Sequence, residues 1–558
     1  MKLESLKIND NVNFINLNNH NNIYSIEKLY FYQNRTPMIR SLYFVISFFV
    51  LIFWSSCRQD FEFIPSTGQL SFSKDTVYLD TVFSNIGSST YTLKVYNNSD
   101  DDILIPSLKL SKGQTSKYRM NVDGMLGTGT LVGKEFENVE LLAQDSMFVF
   151  IETTIDIQPL VTNETQFLYT DAIEFGTGPN TQKVELVTLV KDAVFIYPNK
   201  DANGVIETLV FDVDGDGVDD ETNVQGRFLE DSELTLTNEK PYVVYGYAAV
   251  ESGKTLEINA GARIHFHSKS GLLITENASL HINGLPSLDA EVLENEVIIQ
   301  GDRLEPLYED IPGQWEAIWL LNGSTNNRIN HATIKNGTVG ILSDGNQDDP
   351  TKLTLTNSQI YNSSNFGVLG RGTSINAENV VLNNSGISSF AGTYGGNYNV
   401  THCTIANYWS NSFRQFPALL LNNFIVDSEN TIFTNPLETA NFTNCIIYGN
   451  DNPELLLEKD PSDVFNFKFT NSLILFDDPT EFYSEAQYDF SNTDHFENVI
   501  FNNDPEFLDP SKNQLNIPFG SPAEAAGISS GNLNVDLTNT PRTSPPDLGA
   551  YNAAEFED

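Results

Sequence analysis

Between His331 and Ile474 six short segments can be laid over one another: HATIKN, NSQIYN, NVVLNN, HCTIAN, NCIIYG and NSLILF. Their fourth residues, Ile334, Ile360, Leu382, Ile405, Ile447 and Ile474, follow at intervals of 26, 22, 23, 42 and 27. A chain that regains one side-chain pattern every twenty-odd residues while tolerating insertions winds a β-solenoid, because each coil must return to the same angular position before it stacks. The interval of 42 is either two coils or one coil carrying a long loop.

The second residues, Ala332, Ser358, Val380, Cys403, Cys445 and Ser472, are all small, and the odd positions of the earlier repeats are mostly polar. Period 2 therefore turns positions two and four inward. Two places after the branched residue come Asn336, Asn362, Asn384 and Asn407. Asparagine tolerates left-handed turns, and stacked amides can hydrogen-bond from coil to coil. Three cysteines and no C-x-x-C pair build no disulfide framework; Cys403 and Cys445 share the inward column, where neighbouring coils would bring their Cα atoms to ~4.8 Å, within disulfide range, but parallel Cβ vectors fit a disulfide poorly and buried free thiols are expected.

The solenoid is expected from about residue 241 to 510, starting with VVYGYAAVESGKTLEINAGARIHFHSKSGLLITENASLHINGL, with 511–558 as its C-terminal cap segment. The stretches PGQWEAIWLLNGSTNNRINHATIKNG and GGNYNVTHCTIANYW resemble the β-helix lipoproteins of Bacteroidota, pectate-lyase-like in fold and largely uncharacterised. The resemblance implies a right-handed parallel β-helix and an envelope location, and implies no reaction.

Residues 67–195 read differently. Alternating segments such as LSFSKDTVYLDTVF, SMFVFIETTI and VELVTLVKDAVF, separated by Asn, Asp, Gly and Ser clusters, predict an antiparallel β-sandwich. TYTLKVYNNSDDDILI resembles the immunoglobulin-like modules of abnormal-spindle and related proteins in its pattern. The expected fold class is thus all-β: an immunoglobulin-like sandwich followed by a right-handed parallel β-helix.

Upstream, MIRSLYFVISFFVLIFWSSC places Arg40 before thirteen apolar residues, Leu42 to Trp54, and then Ser55, Ser56 and Cys57. That run is short of the roughly 20 residues that cross a bilayer, so residues 38–57 read as a signal peptide. Small residues before a cysteine resemble a lipoprotein signal, which implies lipidation of Cys57; the alternative is a signal-anchor with an incidental cysteine. Residues 1–37 precede the better start at Met38 and read as an over-called start or a disordered extension, and 58–66 as a tether.

The segment 196–240 is expected to be a linker, and it contains FDVDGDGVDDET. Asp212, Asp214, Asp216, the Val218 carbonyl and Asp220 fall where a calcium loop places its oxygens, with Gly217 at the turn. Asn223 stands where an EF-hand has its bidentate Glu, so the loop resembles those of dockerin or thrombospondin type 3 repeats; the alternative is a solvated acidic turn. A structural Ca²⁺ is the one cofactor expected, with no organic cofactor.

Acids outnumber bases 74 to 31, a net charge of −43, which repels nucleic acid and anionic headgroups and leaves the lipid anchor as the route to a membrane. A polysaccharide lyase on this scaffold needs a base and charge-stabilising cations; Arg328, Lys335, Arg371, His402 and Arg414 are the candidates. His331 and His402 share one ladder column three coils apart, ~14 Å at ~4.7 Å per coil, too far to act as a pair. The acids Asp344, Asp348 and Asp349 lie in one loop and do not form a hydrolase pair. Tyr394, Tyr398, Tyr408 and Trp409 are candidates for stacking on sugar rings, with Arg371 and Arg414 nearby to meet carboxylates; the alternative is that these aromatics cap turns or pack loops. The reading is an exported, lipid-anchored envelope protein that presents a β-helix as a non-catalytic binding or structural surface for glycans or another envelope protein. The alternative is a lyase or glycoside hydrolase acting on a uronic-acid-containing polysaccharide.

Overall fold

The computed structural model describes residues 62–127, 132–156, 166–212, 218–289, 292–529, 531 and 533–556. The signal peptide and Cys57 lie outside them, as do Asp214 and Asp216 of the acidic loop. The described residues are all-β, with short 3₁₀ turns and no α-helix, and no helix among them is long and apolar enough to cross a membrane. Contacts divide them into two compact units, one of 62–75, 92–151 and 172–185, the other of 76–91, 152–171 and 186 onward.

Two sheets hold the N-terminal strands. One orders Ile64–Pro65, Ile103–Leu110, Gln166–Phe175, Gln182–Lys191 and Thr76–Phe83, with Glu135–Leu141 also paired to Ile103–Leu110; the other orders Ser71–Phe72, Tyr91–Tyr96, Ser146–Thr153 and Tyr118–Val122. Burial alternates along these strands, so that Leu93, Val95, Val149 and Ile151 are fully buried between exposed or half-buried neighbours, as period-2 sequence requires.

From Val194 onward the chain winds a parallel β-helix with three stacks of strands. Ile264, Ile299, Ile334, Ile360, Leu382, Ile405, Ile447, Ile474 and Phe501 lie in register one above the other, and all but the last are buried. The column read from the repeat is therefore the core column, and Cys403 and Cys445 are buried free thiols in the stack beside it. Thr404 pairs directly with Ile446, so the 42-residue interval is a single coil. Its extra length contains the hairpin of Phe424–Val426 and Ile432–Thr434.

The helix starts earlier than the repeat pattern suggests, which corrects the assignment of 196–240 as a linker. Val194–Ile196 pairs with Tyr242–Val244, Gly226 to Phe228 with Tyr247 to Ala249, and Thr235–Leu236 with Glu257 and Ile258, making a first coil. The antiparallel pair Thr208–Phe211 and Asp220–Phe228 interrupts this coil, and the acidic loop joins its two strands. At the other end Phe476, Tyr483, Tyr488 and Phe490 pack over the last coil, with Phe490 4.6 Å from Phe501 and 4.9 Å from Phe496.

One corner of the coil carries His331, Asn357, Asn379, His402, Asn444, Asn471 and Asn498, all with φ between 45° and 57°. Asparagine enters this left-handed region at the lowest cost among side-chain-bearing residues, which explains its recurrence. Amides bridge coils here: Asn379 Nδ2 donates to Asn357 Oδ1 at 3.0 Å, and Asn444 Nδ2 to His402 Nε2 at 2.9 Å. His402 thus takes an asparagine's place as an acceptor, which requires a neutral ring, and burial holds its pKa down at about 3. Between that value and the ordinary ~6.5 the unfolded chain binds a proton that the folded chain refuses, so stability falls as pH is lowered through this window, by about 1.4 kcal/mol per pH unit for one such group. Denaturation of wild type and His402→Asn at pH 6.5 and pH 4.5 is expected to show the loss shrinking in the variant; equal losses would mean that His402 titrates normally.

Candidate functional site

The outward residues of the third stack change character along the helix. Arg263, Ile298, Thr333, Gln359, Val381, Thr404, Ile446, Leu473 and Ile500 are in register, largely polar in the early coils and largely apolar from Val381 on. The apolar part is covered by the C-terminal segment, which runs back along this flank. Leu515, Ala550 and Tyr551 pack on Val381 and Ala406, and Ile517, Ala523 and Leu548 on Ile446 and Leu473.

The covering stops at one coil. Asn513 Nδ2 donates to Gln359 Oε1 at 3.0 Å, and the Tyr551 hydroxyl stands 3.5 Å from the same oxygen. Beyond this edge the sheet face opens as a cavity of about 880 Å³, within the range of small-molecule sites. Thr333, Lys335, Gln359 and Tyr361 line it from the sheet, Asn513 and Tyr551 from the C-terminal segment, and Glu296, Glu309 and His331 from turns and loops.

Two local arrangements shape the cavity. The Arg263 guanidinium donates to the carbonyls of Gly261 at 3.1 Å, Leu293 at 2.7 Å and Glu296 at 2.7 Å, pinning the loop that precedes Val297–Gly301. Glu296, at the end of that loop, receives the Thr333 hydroxyl on Oε2 at 3.0 Å. Burial pushes the Glu296 carboxyl above the usual carboxylate range, and the Thr333 bond opposes this only in part. His331 is nearly buried, which lowers its pKa.

The residues singled out from sequence lie elsewhere. Arg414 is 4% exposed, with both terminal nitrogens on Glu454 at 2.6 and 2.7 Å, and Trp409 is 7% exposed with its Nε1 on Ser412 Oγ at 3.0 Å. Burial withdraws both from any polymer arriving from solvent, a correction to their reading as glycan contacts. Tyr408 packs edge-on against Phe507 beneath the C-terminal segment. Arg371 grips Asp344 through Nε and Nη2 at 2.5 and 2.6 Å, and Trp319 Nε1 donates to the same carboxylate. Lys352, not marked in sequence, is fully buried with its ammonium on Ser324 Oγ at 2.8 Å, and burial lowers its pKa to about 7. Among the described residues no three metal-ligating side chains cluster.

No family model and no curated protein matches this chain. Among solved structures, the catalytic unit of the GH87 α-1,3-glucanase from Streptomyces thermodiastaticus strain HF3-3 is 11% identical, over 69% of this chain and 79% of that one, at a TM-score of 0.22. A family 123 glycoside hydrolase from Clostridium perfringens is 9% identical over 22% of this chain, which spans only 27% of that enzyme, at 0.16. PapD-like domain 7 of human CEP192 is 11% identical over 25% of this chain and 94% of that domain, at 0.15. Scores this low leave the functional reading to the geometry of the groove.

Proposed function

We propose that this chain is an exported, lipid-anchored cell-envelope protein whose β-helix holds a glycan chain in the groove over coils 263–361. The anchor in this reading is Cys57, the N-terminal sheets act as a spacer, and a structural Ca²⁺ sits on the acidic loop of Asp212, Asp214, Asp216, Val218 and Asp220. The observation that carries the proposal is the abrupt end of the C-terminal cover at Gln359. The apolar outer positions from Val381 on are sealed, and the coil face left open carries hydroxyl, amide, ammonium and phenol groups beside the apolar Ile298. Such groups hydrogen-bond sugar hydroxyls, and Tyr361 offers an aromatic surface of the kind that packs against sugar C–H faces.

The soluble chain from Gln59 onward is expected to be retained by at least one of a panel of neutral and uronic-acid polysaccharides, with and without Ca²⁺. Gln359→Ala, which removes the amide at the edge of the groove, is expected to weaken retention about tenfold, the cost of one or two hydrogen bonds. Retention of no polymer, or retention indifferent to Gln359, would defeat the proposal.

A further inference from the structure

Resting on the glycan reading of the groove, we infer that Glu296 is a proton donor and that the groove hydrolyses a glycosidic bond of the chain it holds. Glu296 stands on the cavity wall with one carboxyl oxygen engaged by Thr333. Arg263, the neighbouring cation, spends its guanidinium hydrogens on backbone carbonyls rather than on this carboxylate, and its charge, which favours ionised Glu296, offsets the effect of burial only in part. A carboxyl that is partly buried, bonded to a neutral hydroxyl and unpaired keeps its proton to higher pH, which is the condition a general acid must meet near neutrality.

Asp192, Glu239 and Glu309 line the same cavity; Asp192 is paired with Lys240, and Glu239 and Glu309 are exposed. Two carboxyl groups facing one groove are the minimum set for glycoside hydrolysis. Glu296 gives its proton to the glycosidic oxygen as the bond from that oxygen to the anomeric carbon breaks. A water oxygen bonds to the anomeric carbon, and the water's proton passes to the Glu309 carboxylate. The products are two shorter chains with one new reducing end, and exchange with solvent restores both carboxyl groups. Lys335 and Tyr361 line the same cavity and are placed to orient sugar hydroxyls beside the scissile bond.

The test takes whichever polysaccharide the full chain retains and measures new reducing ends with wild type, Glu296→Gln, Glu309→Gln and Thr333→Val. Cleavage by wild type, slowed about 100-fold or more in Glu296→Gln with retention and melting temperature unchanged, supports the proposal. Wild-type cleavage is also expected to decline at high pH, where the donor has lost its proton, and that decline is expected to shift in Thr333→Val. A polymer that is retained and never cut, or cut equally well by Glu296→Gln, overturns the catalytic role and leaves the binding role standing. Retention of no polymer removes both.

Discussion

A chain ended after Asp504 is expected to accumulate as insoluble protein. The missing segment covers the outer face of a sheet that is already closed on its inner side. Without it Val381, Ala406, Ile446 and Leu473, all at or below 1% exposure, would form one apolar stripe in water. Burial of one Val, Leu or Ile side chain stabilises by about 1.5–3 kcal/mol, so Val381, Ile446 and Leu473 with their partners Leu515, Ile517 and Leu548 represent on the order of 10 kcal/mol, as much as the whole stability of an ordinary domain. The corner asparagines hold the segment as well. Asn379 Nδ2 donates to Val535 O, Asn444 Nδ2 to Ile528 O, and Asn471 Nδ2 to Ala526 O, at 2.8 to 3.0 Å. The milder Leu548→Ala is expected to cost about 2–5 kcal/mol in urea denaturation and to bind a hydrophobic dye before it unfolds. A truncated chain that stays soluble and monomeric would show that the segment leaves the sheet readily.

The coil was legible in sequence because its physics is repetitive. Every coil had to place a branched residue at the same inward point, and Ile334, Ile360, Leu382, Ile405, Ile447 and Ile474 stand there in the observed register. The first coil was not legible, because the antiparallel strands around the acidic loop separate its three short strands and break the interval. The C-terminal segment has no period of its own: Leu515, Ile517 and Leu548 are spaced by the surface they cover. Its existence was nevertheless written into the repeats, where the third position passes from Thr333 and Gln359 to Val381, Ile446 and Leu473, with Thr404 the polar member of the covered part. An outward apolar column needs a cover, and the point where it turns polar marks the open groove. Glu296, Tyr361 and Tyr551 come from separate coils and a distant tail, so no spacing links them. Trp409 and Arg414 misled for the opposite reason, since an aromatic and a cation on a long loop look alike in sequence whether they face a sugar or fill the protein.

Glu454→Ala is expected to destabilise the helix by about 3–5 kcal/mol, the usual cost of stripping a buried charge of its partner. Glu454 is fully buried and takes four hydrogen bonds, two from Arg414, one from Ala418 N at 2.7 Å and one from Asp451 N at 3.0 Å. Burial raises its pKa even against the pull of Arg414. Arg414 in turn donates to the carbonyls of Phe416 at 3.1 Å and Asn407 at 3.3 Å, so the pair clamps the start of this long coil, 408–418, onto the strand Leu455–Glu458 that follows Glu454. Removing the carboxylate leaves a guanidinium in a site closed to water. Removing both charges is a different experiment, because a buried ion pair recovers little more than its own desolvation. Arg414→Met with Glu454→Leu is therefore expected to lie within about 2 kcal/mol of wild type, and the cycle of single and double variants in urea to give a coupling of several kcal/mol. A loss below about 1 kcal/mol in Glu454→Ala would mean that water reaches the pair and that the long coil is held by its backbone pairing alone.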